Sequence, residues 1–296
     1  MTELESLAPG TLLNGYRVEH ELGRGAMAVV YLATQLDLMR PVALKVLSAE
    51  QAQDGDFVSR FLNEARSAAA LSHPNIIQAI DAGVTPEGIY YFCMEYVEGE
   101  TLLDMIHREG ALPPAKLLPW AQEIAGALRY GYRYQKFTHG DIKPENIMVD
   151  KHGTAKLADF GLSRVEGHDF TGKDLMLTPL YAAPELIRGE RVPGDCRADI
   201  YAFGATLYHG LAGTPPFPGE VAQEVLNRHL NEEMEPLNVR NPSVPKAYSD
   251  FIGHLLSKDV TERIQGWDAV IAGLSRLEER STKEGKARAK GGGIKL

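Results

Sequence analysis

The sequence predicts an α+β chain in two lobes: a small strand-rich lobe with one helix, then a larger, mostly helical lobe. Three observations support this. Between Tyr16 and Val97, short runs of β-branched and aromatic residues alternate with turn residues. From Leu102 onward, apolar residues recur at helical spacing instead. Glu98-Gly99 lies between the two regimes and supplies a glycine at the junction. A length of 296 residues accommodates one large domain or two modest ones sharing a cleft. The expected organisation is a lead-in over 1–15, a first lobe over 16–97, a second over 98–280 and a tail over 281–296.

In chain order, Tyr16-Arg17-Val18, Val29-Val30-Tyr31-Leu32 and Val42-Ala43-Leu44-Lys45-Val46-Leu47 read as strands. Alternation along the third puts Val42, Leu44 and Val46 on one face and Ala43, Lys45 and Leu47 on the other. Phe57 to Leu71 reads as a helix, because Phe57, Phe61, Ala65 and Ala68 share one side. Glu64 falls on that same apolar side, where a carboxylate needs a partner. His73-Pro74-Asn75 ends the helix. Ile76 to Ala82 and Ile89 to Tyr96 are two further strands around the turn Thr85-Pro86-Glu87-Gly88. Leu117 to Tyr134 predicts a long helix, and two short strands bracket Lys151-His152-Gly153. Leu162 to Tyr181 lacks apolar periodicity and reads as a loop. Ile200 to Gly213 reads as a buried helix that Asp199 is placed to cap. Two more helices lie near Val221–Leu230 and Ala247–Leu256. Residues 281–296 hold five Lys or Arg, one Glu and Gly291-Gly292-Gly293, which predicts a disordered basic tail.

Composition excludes several classes. Apolar content of 44% and charged content of 24% are ordinary for a soluble globular chain. A net charge of −9 argues against general nucleic-acid binding, which needs a basic surface. Cys93 and Cys196 form neither a disulfide framework nor a metal-ligand spacing, and Cys93 sits in an apolar run as a buried, inert thiol. The N-terminus lacks the basic-then-apolar pattern of a signal peptide, and the run from Ile200 to Gly213 is too short to span a bilayer and is interrupted by His209. A cytoplasmic protein is expected.

The densest polar signal is His139-Gly140-Asp141-Ile142-Lys143-Pro144-Glu145-Asn146, followed by Asp159-Phe160-Gly161. Apolar runs flank both groups: Ile147-Met148-Val149 after the first, Ala155 to Ala158 before the second. Hard oxygen ligands at the ends of short strands suit Mg²⁺ and phosphate. Leu22-Gly23-Arg24-Gly25 adds two glycines whose backbone can approach phosphates, although a plain turn between strands explains that segment equally well alone.

Together these stretches resemble the eukaryotic-like (Hanks-type) serine/threonine protein kinase family, in a bacterial style. The resemblance covers about residues 12–275, with the motifs in family order. It implies a two-lobed protein kinase fold and an ATP- and Mg²⁺-dependent transfer of the γ-phosphate to Ser or Thr hydroxyls of proteins, with the kinase itself among the candidate acceptors. By the same resemblance, Asp141 orients the acceptor hydroxyl and Lys143 steadies the γ-phosphate. Asn146 and Asp159 hold Mg²⁺, and Lys45 contacts the phosphates while pairing with Glu64. Leu22, Gly23, Gly25, Val30, Ala43, Met94, Glu95, Val97 and Met148 surround the nucleotide, with Met94 limiting the back pocket. Thr178 bonds the catalytic aspartate and lysine, Asp199 braces the catalytic loop, and Arg263 pairs with Glu185.

Two departures qualify the resemblance, and one further match bears on the acceptor. Ala28 stands where the family has its third loop glycine. Gly140 stands where the family usually has arginine, and His-Gly-Asp is typical of kinases that act on small molecules. The segment Thr178-Pro179-Leu180-Tyr181-Ala182-Ala183-Pro184-Glu185 resembles the peptide-docking segment of protein kinases, which small-molecule kinases generally lack. A protein acceptor is therefore expected, with a small-molecule kinase and a non-catalytic scaffold as alternatives. Without an arginine at position 140, strong dependence on activation-loop phosphorylation is not expected. Thr171 is the expected autophosphorylation site, ahead of Ser163, with Arg164 a substitute anchor.

Overall fold

Short strands packed on one buried core build the first of two structural units in the chain. The computed structural model describes residues 7–25, 28–159, 178–190 and 192–291. It divides into a unit of Met1–Gly99 with Ala158–Ser163 and a unit of Glu100–Leu157 with Arg164–Leu296. The first contains β1 (Leu12–Leu13), β2 (Tyr16–Arg24), β3 (Ala28–Gln35), β4 (Arg40–Leu47), helix α1 (Gly55–Ala69), β5 (Ala79–Val84) and β6 (Tyr90–Glu95). The strands form one antiparallel sheet in the order β1-β2-β3-β4-β6-β5. Val42, Leu44 and Val46 of β4 join Val18, Val29, Tyr31 and Cys93 in its core.

The sheet is strongly curled. At about 4.8 Å per strand, β2 and β5 would stand roughly 19 Å apart in a flat sheet of this order. Instead, the Tyr16 hydroxyl of β2 donates to Asp81 of β5 at 3.2 Å, and Tyr91 of β6 donates to the same carboxylate oxygen at 3.1 Å. Cys93 is fully buried beside them, and burial pushes its thiol up to about 11, which makes it inert. β5 begins three residues later than its apolar run. Ile76 and Ile77 are buried, but the Ile76 amide is used in a turn onto the His73 carbonyl. Helix α1 starts where Asp54 caps it, accepting from the Asp56 amide at 2.9 Å. It buries Phe61, Glu64, Ala65 and Ala68.

The second unit is helical around a small sheet. Strand β7 (Gly99–Thr101) leads into α2 (Leu102–Glu109), whose start Thr101 and Asp104 close as a reciprocal capping box. Helix α3 (Pro114–Gln135) precedes β8 (Ile147–Asp150) and β9 (Ala155–Leu157), and the sheet order is β7-β8-β9. Then come α4 (Pro184–Ile187), α5 (Arg197–Ala212), α6 (Ala222–Asn231), α7 (Leu237–Arg240), α8 (Lys246–Leu255) and α9 (Trp267–Gly291). Every residue of α5 from Phe203 to Leu211 is buried, so this is an all-round interior helix. Asp199 does not cap it: Cys196 holds the N-cap position, and Asp199 lies inside the first turn.

The tail differs from expectation. Helix α9 continues to Gly291, through most of the 281–296 stretch expected to be disordered. Lys, Arg, Glu and Ala dominate there and are strong helix formers, so propensity extends a helix already anchored by buried Val270, Leu274 and Leu277. No helix among the described residues is long and apolar enough to cross a membrane.

Candidate active site

The first unit contributes a lysine held between two carboxylates. β4 turns Lys45 onto the face opposite its core side. Its Nζ lies 2.6 Å from Glu64 of α1 and 3.1 Å from Asp159. Burial alone would pull the Lys45 ammonium down, but the Asp159 and Glu64 carboxylates outweigh it and hold it above its ordinary value. Burial also pushes the Glu64 carboxyl up, reinforced by Asp159 and opposed by Lys45. Asp159 adopts φ +54, a left-handed conformation uncommon outside glycine, and its side chain is 41% exposed.

Register gathers further predicted residues on the Lys45 face. Val30 of β3 is directly opposite Lys45, and Ala43, two residues along β4, is opposite Met94 of β6. Ala43, Met94 and Val97 are buried, Val30 is half-buried and Leu22 is 42% exposed. Glu95 is anchored from both ends of its residue. Its amide donates to the Gln78 carbonyl at 2.9 Å, and its carboxylate accepts from the Gln78 amide at 3.3 Å. A Cβ on Gly23 would meet nothing within 4 Å, so the backbone there is open to close approach. The Gly25 amide donates to the Ala28 carbonyl at 2.9 Å.

The second unit contributes a carboxylate gripped from three sides. Asp141 accepts from Thr178 Oγ1 at 2.7 Å and Asn146 Nδ2 at 3.1 Å, and it pairs with Lys143 Nζ at 2.7 Å. Lys143 also donates to Thr178 Oγ1 at 3.3 Å. Asn146 Nδ2 donates to the Asp141 carbonyl at 2.8 Å as well, which fixes the carboxamide. Both contacts use the nitrogen, so the oxygen is the atom Asn146 can offer a cation. Each taken by itself, the Asp159 carboxylate of the first unit and the Asn146 carboxamide oxygen of the second are hard donors of the kind Mg²⁺ takes, so the residue types fit the expected metal. Met148 sits half-buried on β8.

Beneath this loop, the buried Asp199 carboxylate accepts from the His139 amide at 2.6 Å and the Gly140 amide at 2.8 Å. Gly140 has φ +79, a conformation in which most L-residues are strained. The glycine in His-Gly-Asp therefore has a backbone reason. Arg263 is buried and holds Glu185 through two bonds of 2.6 and 2.9 Å. Its remaining donors reach the Arg197 and Ser257 carbonyls, and it lies over the Tyr201 ring at 5.0 Å.

Thr171, Ser163, Arg164, Phe160 and Gly161 lie outside the described residues. Sequence reasoning missed Tyr181 and His209, whose hydroxyl and Nδ1 are 2.8 Å apart in the interior. The available signal was a histidine inside an otherwise apolar helix run.

Residues 16–272 match the protein kinase domain family. The serine/threonine-protein kinase PknB of Mycolicibacterium smegmatis is 37% identical over 278 residues, 92% of this chain and 44% of that protein. PrkC of Bacillus subtilis, also named a serine/threonine-protein kinase, is 38% identical over 252 residues, 84% of this chain and 38% of that protein. The chain thus spans less than half the length of these relatives. The crystal structure of the Mycobacterium tuberculosis PknI kinase domain superposes with a TM-score of 0.71 at 29% identity, covering 92% of this chain and 99% of that one.

Proposed function

This chain belongs to the protein kinase family, and on that premise we propose that it transfers the γ-phosphate of ATP to serine or threonine hydroxyls of proteins. The observation that carries the reading is the grip on Asp141 by Lys143, Thr178 and Asn146. A carboxylate held from three sides keeps an acceptor hydroxyl on one line of approach, and positioning is most of what phosphoryl transfer asks of a protein. Lys143 lies within reach of the same carboxylate and would shift its charge onto the phosphoryl group in flight. In the first unit, Lys45 would hold nucleotide phosphates, with Glu64 keeping the ammonium in place. Leu22, Gly23, Gly25, Val30, Ala43, Met94, Glu95 and Val97 would surround the nucleotide, joined by Met148. Asp159 and Asn146 would hold Mg²⁺, which when bound neutralises phosphate charge.

A lysine two residues after the aspartate, together with Thr178, favours serine or threonine over tyrosine as acceptor. The family match and the named relatives favour a protein over a small molecule. Both described cysteines are free and buried, in keeping with action in the cytoplasm.

The test is transfer of ³²P from labelled ATP with Mg²⁺ to the chain itself, to a generic basic protein and to an aminoglycoside. Label is expected on protein serine or threonine, and Asp141→Asn is expected to reduce its rate by about 10²–10⁴-fold. Label on the aminoglycoside alone would replace this reading with a small-molecule kinase.

A further inference from the structure

Helix α5 carries a polar stripe through an otherwise apolar interior. Asp199, Thr206 and His209 stand at i, i+7 and i+10, on one side of the helix. Each of them reaches the site. Asp199 takes the His139 and Gly140 amides. Thr206 Oγ1 donates to the Ala202 carbonyl at 2.9 Å and lies 3.4 Å from the Ile142 carbonyl. His209 Nδ1 lies 2.8 Å from the Tyr181 hydroxyl.

Tyr181 and His209 are 4% and 7% exposed, and their rings stack at 6.1 Å with 22° between planes. Burial holds the Tyr181 phenol above its ordinary value and pushes His209 down to about 4. The phenol is therefore the donor and the neutral imidazole the acceptor, with the ring proton on Nε2. Tyr181 closes a turn whose amide returns to the Thr178 carbonyl at 3.1 Å. One short turn thus links the histidine contact to the threonine that grips Asp141. The seat is rigid: a Cβ on neighbouring Gly210 would come within 2.9 Å of Leu117 Cδ2, so α5 lies tightly against α3.

We propose that His209 is a positioning residue for the protein acceptor, fixing the docking segment 178–185 through Tyr181. The inference rests on the protein kinase reading above. His209 touches neither nucleotide nor reacting atoms. Releasing Tyr181 loosens the surface on which the acceptor docks, and the Lys45–Glu64–Asp159 group is untouched. The predicted signature is a higher KM for the acceptor protein with an unchanged KM for ATP.

The experiment compares wild type, His209→Leu, His209→Asn, Tyr181→Phe and the His209→Leu/Tyr181→Phe pair on a generic basic protein. His209→Leu and Tyr181→Phe are each expected to raise the acceptor KM by about tenfold, the worth of one buried hydrogen bond. The KM for ATP should stay within about twofold. His209→Asn, with an oxygen near the former Nδ1, should recover most of the loss. The double variant should be no worse than the poorer single one, because both remove the same contact. Tyr181→Phe keeps the ring and its packing, so it reports the contact even if His209→Leu fails to fold. An unchanged acceptor KM in Tyr181→Phe, or equal losses in both KM values, overturns the proposal. A wild-type chain that labels no protein at all overturns the kinase reading and this inference with it, and is told apart by that blank.

Discussion

Burial gives single residues in this chain properties that their types alone do not have. His209 and His229 are both neutral in the interior, each within 2.8 Å of a tyrosine hydroxyl, and burial pushes both down to about 4. An unfolded histidine titrates near 6.5, so the unfolded chain binds these protons first as pH falls. The folded state therefore has their full contribution above about pH 6.5 and loses it progressively toward pH 4. The loss should reach roughly 3 kcal/mol per histidine at the acid end. Urea unfolding at pH 7, 5.5 and 4 checks this: His209→Asn should flatten the slope of stability against pH relative to wild type. Gly140 is the other residue with a sharp requirement. At φ +79, Gly140→Ala should cost about 1–2 kcal/mol of unfolding free energy, and Gly140→Asn less, because asparagine tolerates the left-handed region. Equal stability in all three chains would show that the loop relaxes around position 140.

At the scale of elements, α5 is the organiser of the second unit. It supplies Asp199, Thr206 and His209 to neighbouring loops, and Arg263 is locked beside it on Tyr201 and the Arg197 carbonyl. Arg263 joins α4, through Glu185, to the segment after α8, and every named partner is buried or backbone. Arg263→Ala would leave the Glu185 carboxylate without its counter-charge. A loss of about 3–5 kcal/mol in unfolding free energy is expected by denaturant titration. Glu185→Gln keeps a hydrogen-bonding shape and should cost less. The first unit shows a comparable economy. One carboxylate, Asp81, ties three strands of the curled sheet through two tyrosine hydroxyls.

At the scale of the whole molecule, ligand linkage tests whether the two sets of predicted residues act on one nucleotide. A ligand that binds only the folded chain stabilises it, by about 2.7 kcal/mol at a hundredfold excess over its Kd. Mg²⁺–ATP should therefore raise the melting temperature, and Mg²⁺ alone should not. Lys45→Met should abolish most of that rise, and Asp159→Asn should remove its Mg²⁺ dependence. A rise preserved in both variants would place the nucleotide elsewhere.

Much of this was legible in the sequence. The strand and helix regimes, the placement of Lys45 with Ala43 on the face opposite Leu44, the inward Glu64 and the cluster from His139 to Asn146 all depend on spacing between near neighbours, and that spacing survives in the linear chain. The Arg263–Glu185 pair, 78 residues apart, was legible only through family resemblance. So was the brace that Asp199, a helix cap by its neighbours alone, makes to the His139 and Gly140 amides some 60 residues away. Other features needed the fold. His209 looked like an interruption in an apolar run, yet Tyr181 makes it a contact. The final helix outran its disordered expectation because an anchored helix propagates at little cost, whereas composition alone describes an unanchored one. Sequence determined which chemistries the chain carries, because residue type and local period set them. Tertiary structure decided which partner each buried polar group found, because a group removed from water must satisfy its hydrogen bonds with whatever distant segment packing brings to it.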